Sequence, residues 1–186
     1  MPTAPAFDYD RAFSRNVGWI TADEQRLLAG KRIAIAGLGG VGGIHLLTLA
    51  RLGVGRFSLA EMDVFELANF NRQAGALCST IGRPKLEVVR DMARDINPDL
   101  EIREFPTGIS TANIDDFLAD VDVYVDSLDF FAFPAREAVY AACRRRGIPA
   151  ICAAPLGMST ALLCFDPRGM SFEEYFRLAG HDAFEQ

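Results

Sequence analysis

Histidine and cysteine are scarce in this chain. The two histidines, His45 and His181, stand far apart and support neither a catalytic dyad nor a metal cluster. The four cysteines, Cys78, Cys143, Cys152 and Cys164, form no Cys-x-x-Cys pair, so a zinc signature is lacking. They suit a reducing cytosol, and each is expected as buried filler. No apolar run approaches the ~20 residues a spanning helix needs. Residues 1–8 lack the basic region and apolar core of a signal peptide. A cytoplasmic, non-membrane location is therefore expected. Basic excess is missing too: 19 Lys and Arg face 25 Asp and Glu, a net charge of −6. That balance argues against a general nucleic-acid or anionic-membrane binder, and any polyanionic ligand has to be met by local positive charge. Internal repeats and low-complexity segments are likewise absent.

What is present is enough for one well-cored domain: 186 residues, of which 50% are hydrophobic and 24% charged. The chain is organised around residues 33–43, where a buried-looking β run ends in Gly37-x-Gly39-x-x-Gly42 and an apolar helix begins at once. This is the strand–turn–helix signature of a nucleotide-binding α/β domain. Gly37 permits the tight turn, and Gly39 and Gly40 let backbone N–H groups approach a phosphate. Gly42 lets the helix pack close to the strand with its N-terminus facing the anion.

Strands are expected near 32–36, 56–62, 100–105, 121–126, 148–153 and 160–165. Helical segments are expected in parts of 9–28, from the glycines to about Leu52, from Pro84 to Ile96, 113–118, from Pro134 to Gly147, and in a short stretch opened by Ser171 and Glu174. Thr21 with Glu24 reads as a capping box. The alternation, with several near-continuous apolar strands, predicts a Rossmann-like, doubly wound, mainly parallel sheet with helices on both faces. Residues 63–82 have no clean period, and structureless loops of that length tend to be functional. The expected organisation is a loose 1–8, a nucleotide-binding domain over 9–170, and a short helix and tail over 171–186 that reads as truncated.

Glu61 ends the second strand about twenty residues after the glycines, where an acid accepts ribose hydroxyls, and Asp63 follows it. Asn69, Asn71, Arg72 and Gln73 form a dense polar cluster, and a guanidinium there suits phosphate oxygens. Lys85 opens a helix against its macrodipole, which hints at an anionic ligand nearby. Asp126 and Asp129 end the fourth strand at the carboxyl edge, where a carboxylate beside a triphosphate would hold Mg2+; Asp126 is equally readable as a structural cap. Phe130, Phe131 and Phe133 crowd the same edge and read by default as core. His45 reads as a partly buried packing residue, and Arg15 as solvated unless its arm reaches a site.

Taken together, the Gly-Leu-Gly-Gly-Val-Gly-Gly turn, Glu61-Met-Asp63, Asn69-Phe-Asn-Arg-Gln73, Gly82-Arg-Pro-Lys85, Ile96-Asn-Pro98 and Asp126-Ser-Leu-Asp129 resemble the E1-like adenylyltransferase family. That family takes in ubiquitin-activating enzymes and bacterial relatives of the ThiF, MoeB and HesA kinds. The resemblance covers roughly residues 9–166. It implies ATP and Mg2+, with Gly40 at the phosphates and Glu61 at the ribose. Asn69, Arg72 and Lys85 would lie at the triphosphate, Asp129 at the metal, and Arg15 in a partner subunit's site, hence a homodimer. The implied reaction is adenylation of a carboxylate, usually the C-terminus of a ubiquitin-like or sulfur-carrier protein or of a peptide. Glu61 stands where the family usually has Asp, Phe130 replaces a polar residue, and the zinc Cys pairs of many relatives are absent. An NAD(P)-dependent oxidoreductase and a non-catalytic E1-like partner subunit are the alternatives.

Overall fold

A computed structural model describes residues 6–178. Its centre is a six-stranded sheet in the order β3-β2-β1-β4-β5-β6. The strands are β1 (Arg32–Ala36), β2 (Arg56–Ala60), β3 (Glu101–Phe105), β4 (Val123–Asp126), β5 (Ala150–Leu156) and β6 (Ser159–Phe165). All neighbours pair in parallel except β5 and β6. The helices are α1 (Tyr9–Ala12), α2 (Ala22–Gly30), α3 (Gly42–Arg51), α4 (Lys85–Ile96), α5 (Ile114–Phe117), α6 (Phe133–Arg146) and α7 (Phe172–Phe176). The expected doubly wound, mainly parallel architecture is what forms.

Strand periodicity divides the core in two. Ile33 and Ile35 of β1 face one cluster, with Leu46, Leu47 and Ala50 of α3 and Leu86, Val89 and Ala93 of α4. Ala34 and Ala36 face the other, with Phe117 of α5, Val139 and Ala142 of α6, and Phe172 of α7. All five β1 residues are buried, as a central parallel strand requires. The sheet changes winding direction between β1 and β4, and a crevice opens at the carboxyl ends of those strands.

Local signals set most of the boundaries. Thr21 and Glu24 form the capping box that starts α2, and Ser171 and Glu174 form the one that starts α7. Gly147 ends α6 in the left-handed conformation with φ of 71°. Several expectations shift. β2 stops at Ala60, which places Glu61 in the following turn, and β5 runs on to Leu156. Asn113 precedes α5 without a side-chain cap bond; its amide bridges the Gly108 carbonyl and the Ser110 N–H instead. Asp8, expected to be loose, accepts the Arg11 N–H and caps α1. Residues 63–82 are not structureless: Leu67–Asn69 makes a 3₁₀ turn, and Phe65 is fully buried. The expected tail over 180–186 and His181 lie outside the described residues. Among the described residues no helix is long and apolar enough to cross a membrane.

The tightest packing lies at the glycine turn. A Cβ on Gly42 would stand 1.8 Å from the Gly37 carbonyl oxygen and 2.9 Å from the Ser127 Cβ. Neither the turn nor the end of β4 has room to yield. Gly42→Ala is expected to destabilise the chain by about 3 kcal/mol through overpacking, measured by urea denaturation. A loss under about 0.5 kcal/mol would show that α3 does not depend on this close approach.

Candidate functional site

The crevice at the switch point is a cleft of about 760 Å³. The glycine turn forms its floor. Gly37 has φ of 84°, and a Cβ there would meet the Ser127 carbonyl oxygen at 2.2 Å. Only glycine fits both constraints. The turn continues into the N-terminus of α3, so backbone N–H groups face the cleft.

The loop after β2 folds over this floor. The Arg72 Cγ lies 3.4 Å from where a Cβ on Gly40 would sit, and the Gln73 Nε2 lies 3.5 Å from the same point on Gly39. A Cβ at either glycine would be in ordinary van der Waals contact with these side chains, so the loop lies directly over the turn. Asn69 holds the loop in shape: its Oδ1 accepts the Glu66 N–H at 2.9 Å, and its carbonyl accepts the Gln73 N–H. The Arg72 guanidinium donates to the Ala68 carbonyl and the Asn71 Oδ1, both at 3.0 Å.

Of the residues expected from sequence, Gly37, Gly39, Gly40, Glu61, Asp63, Asn69, Arg72, Lys85 and Asp129 line one cleft. Gly42 lies behind it as a packing position. Asn71 is exposed outside the lining and engages Arg72. Arg15, in the turn Ser14–Asn16, is exposed and does not line this cleft. A second hollow, about 490 Å³, is lined by Ala12, Phe13, Leu47, Arg51, Met92, Asp95 and Ile96 and shares no residue with the cleft.

The carboxylates differ in how much acceptor capacity remains. Glu61 Oε2 accepts the Leu38 N–H of the glycine turn at 2.8 Å, and Oε1 accepts the Met62 and Asp63 N–H groups at 2.8 and 2.9 Å. A carboxylate has about four lone-pair sites, so roughly one remains. Asp63 also lines the cleft, and its exposed carboxylate binds Lys85, whose Nζ donates to its Oδ2 at 3.2 Å. Lys85 thus has an anionic partner within the chain, so its place at the start of α4 does not by itself require an anionic ligand, and its side chain is 8% exposed. Asp129 Oδ1 accepts the Phe131 N–H at 3.0 Å, and Oδ2 has no partner among the described residues. Asp126 proves structural: it is buried and ion-paired with Arg136.

The cleft lining carries four acids, Glu61, Asp63, Glu66 and Asp129, against two bases, Arg72 and Lys85. With Lys85 paired to Asp63, Arg72 supplies the remaining fixed cation of this wall. No group of three or more His, Cys, Asp or Glu able to hold a metal occurs among the described residues.

Sequence reasoning gave two further cleft residues no role of their own. Gln73 is buried and its Oε1 has no hydrogen-bond partner among the described residues, and the Ser127 Oγ is in the same condition. Both line the cleft, and buried polar atoms without partners need an explanation. Gln73 was visible as a member of the polar cluster. Ser127 carried no signal beyond its place after β4. The His45 Nδ1 is also buried without a partner, and burial lowers the His45 pKa, in keeping with a packing residue. Phe130 and Phe131 depart from the core default: they are 60% and 81% exposed beside Asp129, in edge-on contact with each other.

A sequence profile of the ThiF family matches residues 13–183. The chain is 33% identical over 140 residues to the tRNA threonylcarbamoyladenosine dehydratase of Bacillus subtilis (strain 168), covering 75% of this chain and 54% of that protein. It is 32% identical over 148 residues to the sulfur carrier protein ThiS adenylyltransferase of Escherichia coli (strain K12), covering 80% and 58%. Among solved structures, the E. coli tRNA N6-threonylcarbamoyladenosine dehydratase in complex with ATP matches with a TM-score of 0.76 at 27% identity, covering 84% of this chain and 64% of that one. The chain spans about half the length of the curated relatives it matches.

The cysteines separate into two pairs. Cys143 and Cys152 are buried, whereas Cys78 and Cys164 are exposed rather than core filler. Burial pushes the Cys143 thiol up to about 12, and burial followed by the Asp126 charge raises Cys152. A raised thiol pKa leaves little thiolate at pH 8. A thiol reagent at pH 8 is expected to label two sulfurs quickly in the native chain and four after unfolding. Rapid labelling of all four sulfurs in the native state would contradict this burial.

Proposed function

The chain belongs to the ThiF family, and from that premise we propose that its cleft binds ATP with Mg2+ and adenylates a carboxylate. The observation that carries this reading is the stacking of the Asn69–Gln73 loop on the glycine turn, with Lys85 and Asp129 on the same cleft. A dinucleotide site needs the turn and an acid. It has no β–γ phosphate tail for Arg72, Lys85 and a metal-binding carboxylate to engage, which disfavours the oxidoreductase alternative.

The residues fit the two groups. Gly37, Gly39 and Gly40 put bare backbone on the floor of the cleft, and the Gln73 Oε1 and Ser127 Oγ in its lining are buried polar atoms without a partner among the described residues. For Mg2+, the free Asp129 oxygen with phosphate oxygens and waters is the ligand set that this ion commonly takes. Mg2+ would neutralise charge on the phosphates. The turn N–H groups and Arg72 hold the triphosphate, Lys85 keeps two further donors beside its Asp63 bond, and the remaining Glu61 site accepts a ribose hydroxyl. The acceptor carboxylate attacks the α-phosphorus in line, the bond to the bridging oxygen breaks, and pyrophosphate leaves with that oxygen. Positioning and charge stabilisation suffice; no covalent nucleophile on the chain is required.

The acid excess of the cleft gives Arg15 a reason to act in a partner's site. A triphosphate facing four carboxylates and two cations needs positive charge from elsewhere, and Arg15 does not line its own cleft. We therefore propose a homodimer with shared sites.

We propose that the acceptor is the C-terminal carboxylate of a ubiquitin-like or sulfur-carrier protein or of a peptide. The ThiS adenylyltransferase relative supports this class, and so does the net charge of −6, which disfavours a polyanionic acceptor. A tRNA-linked carboxylate is the second reading, favoured by the two relatives named as tRNA dehydratases.

ATP–pyrophosphate exchange is expected to require Mg2+ and to fall at least about 100-fold in Arg72→Ala and Asp129→Asn. Exchange stimulated by a protein ending in Gly-Gly supports the first acceptor class, and stimulation by modified tRNA supports the second. No exchange with any carboxylate would favour a non-catalytic partner subunit. Mixing Arg15→Ala and Asp129→Ala subunits is expected to restore partial activity. Absence of rescue in confirmed heterodimers would remove the shared-site arrangement.

A further inference from the structure

The most deeply placed polar cluster that this chemistry leaves unused is built on Asp126. Its carboxylate ends β4 and is 2% exposed. One oxygen, Oδ2, accepts from Arg136 Nε and Nη2, both at 2.8 Å, and from the Tyr140 hydroxyl at 3.1 Å. The other, Oδ1, accepts the Leu128 N–H at 3.2 Å and faces the Tyr124 hydroxyl at 3.4 Å. Arg136 is fixed in turn. Its Nη2 lies 3.7 Å from the Cys152 Sγ, and its guanidinium sits 5.2 Å from the centre of the Phe172 ring. Phe172 itself stacks on Tyr140, with ring centres 4.2 Å apart and planes at 19°.

A stability role alone does not explain this investment. Buried ion pairs can often be replaced by apolar residues of similar volume with no loss of stability. An apolar residue cannot, however, present an acceptor to the Leu128 N–H. With three donors on Oδ2, the plane of the carboxylate is set and Oδ1 is aimed at the amide between Ser127 and Leu128. The Ser127 carbonyl is the group that Gly37 packs against, and Asp129 carries the free oxygen in the cleft. The position of one amide therefore governs both the floor of the cleft and its candidate metal ligand.

We propose that Arg136, with Tyr140, is a positioning residue that acts through Asp126 to fix the 127–129 loop and so aim Asp129 at the metal–nucleotide. This rests on the reading of the cleft as a Mg-ATP site. Supporting groups behind a metal ligand typically contribute 10–100-fold to metal affinity. A lysine in place of Arg136 keeps the charge but loses the planar fork that reaches Oδ2 twice.

Two variants test it in the full chain, Arg136→Lys and the milder Tyr140→Phe, which keeps the ring. ATP affinity is measured by calorimetry with Mg2+ and again with EDTA, and amide hydrogen exchange is measured without ligand. The enhancement of ATP affinity by Mg2+ is expected to drop about tenfold, while affinity in EDTA holds. Exchange is expected to rise at 127–129 and to keep wild-type protection in β1 and α4. An unchanged Mg2+ enhancement with unchanged exchange at 127–129 overturns the positioning role while leaving the ATP reading intact. So does a uniform rise in exchange across the whole fold, because it marks a merely structural pair. If Arg136→Lys does not fold, Tyr140→Phe decides between these outcomes. A wild-type chain that binds no ATP overturns the reading of the cleft, and the positioning role falls with it.

Discussion

The fold depends on how closely three backbone segments approach one another at the switch point of the sheet. Gly37 lies against the Ser127 carbonyl, Gly42 lies against the Gly37 carbonyl, and both contacts leave no space for a methyl group. This contact joins the first strand, the helix that follows it and the end of the fourth strand. It also turns the N-terminus of α3 toward the cleft. The 69–73 loop then packs on Gly39 and Gly40, so the residues that meet the proposed phosphates rest on the turn itself. Precision in the site follows from packing density rather than from flexible reach.

The polar groups around this junction divide between structure and ligand. Glu61 and Asp126 both use carboxylate oxygens to hold backbone N–H groups: Leu38 in the first case, Leu128 in the second. They brace the two segments, the glycine turn and the loop after β4, that pack against each other at the floor of the cleft. Lys85 is held by Asp63 from 22 residues away. Arg72 and Asp129 line the cleft, and one Asp129 oxygen has no partner among the described residues. The shortage of fixed cations among so many acids makes sense if a metal ion and a residue from a second subunit complete the site, which is the arrangement proposed here.

Much of this was legible in the sequence because local physics determined it. The first strand, both capping boxes, the Gly147 stop and the alternation that yields a parallel sheet follow from periodicity and from residues within a turn of each other. The glycine spacing placed the cleft, and the ordered polar residues placed most of its lining. Long-range pairings stayed hidden. Residues 63–82 show no period because Phe65 is buried in the core cluster with α4, Gln73 against the glycine turn and Asn69 within its own loop, rather than on one regular face. Nothing local told Asp126 from Asp129; the buried guanidinium of Arg136 did. The exposure of Phe130 and Phe131 also ran against their composition.

The central claim is that this cleft takes a nucleoside triphosphate rather than a dinucleotide. Calorimetric titration of the purified chain with Mg-ATP, repeated in the presence of NADH, addresses it most directly. The account predicts one Mg-ATP bound per cleft, affinity reduced at least about tenfold in Lys85→Ala, and no competition from NADH. Binding of NADH with no detectable heat from Mg-ATP would contradict it.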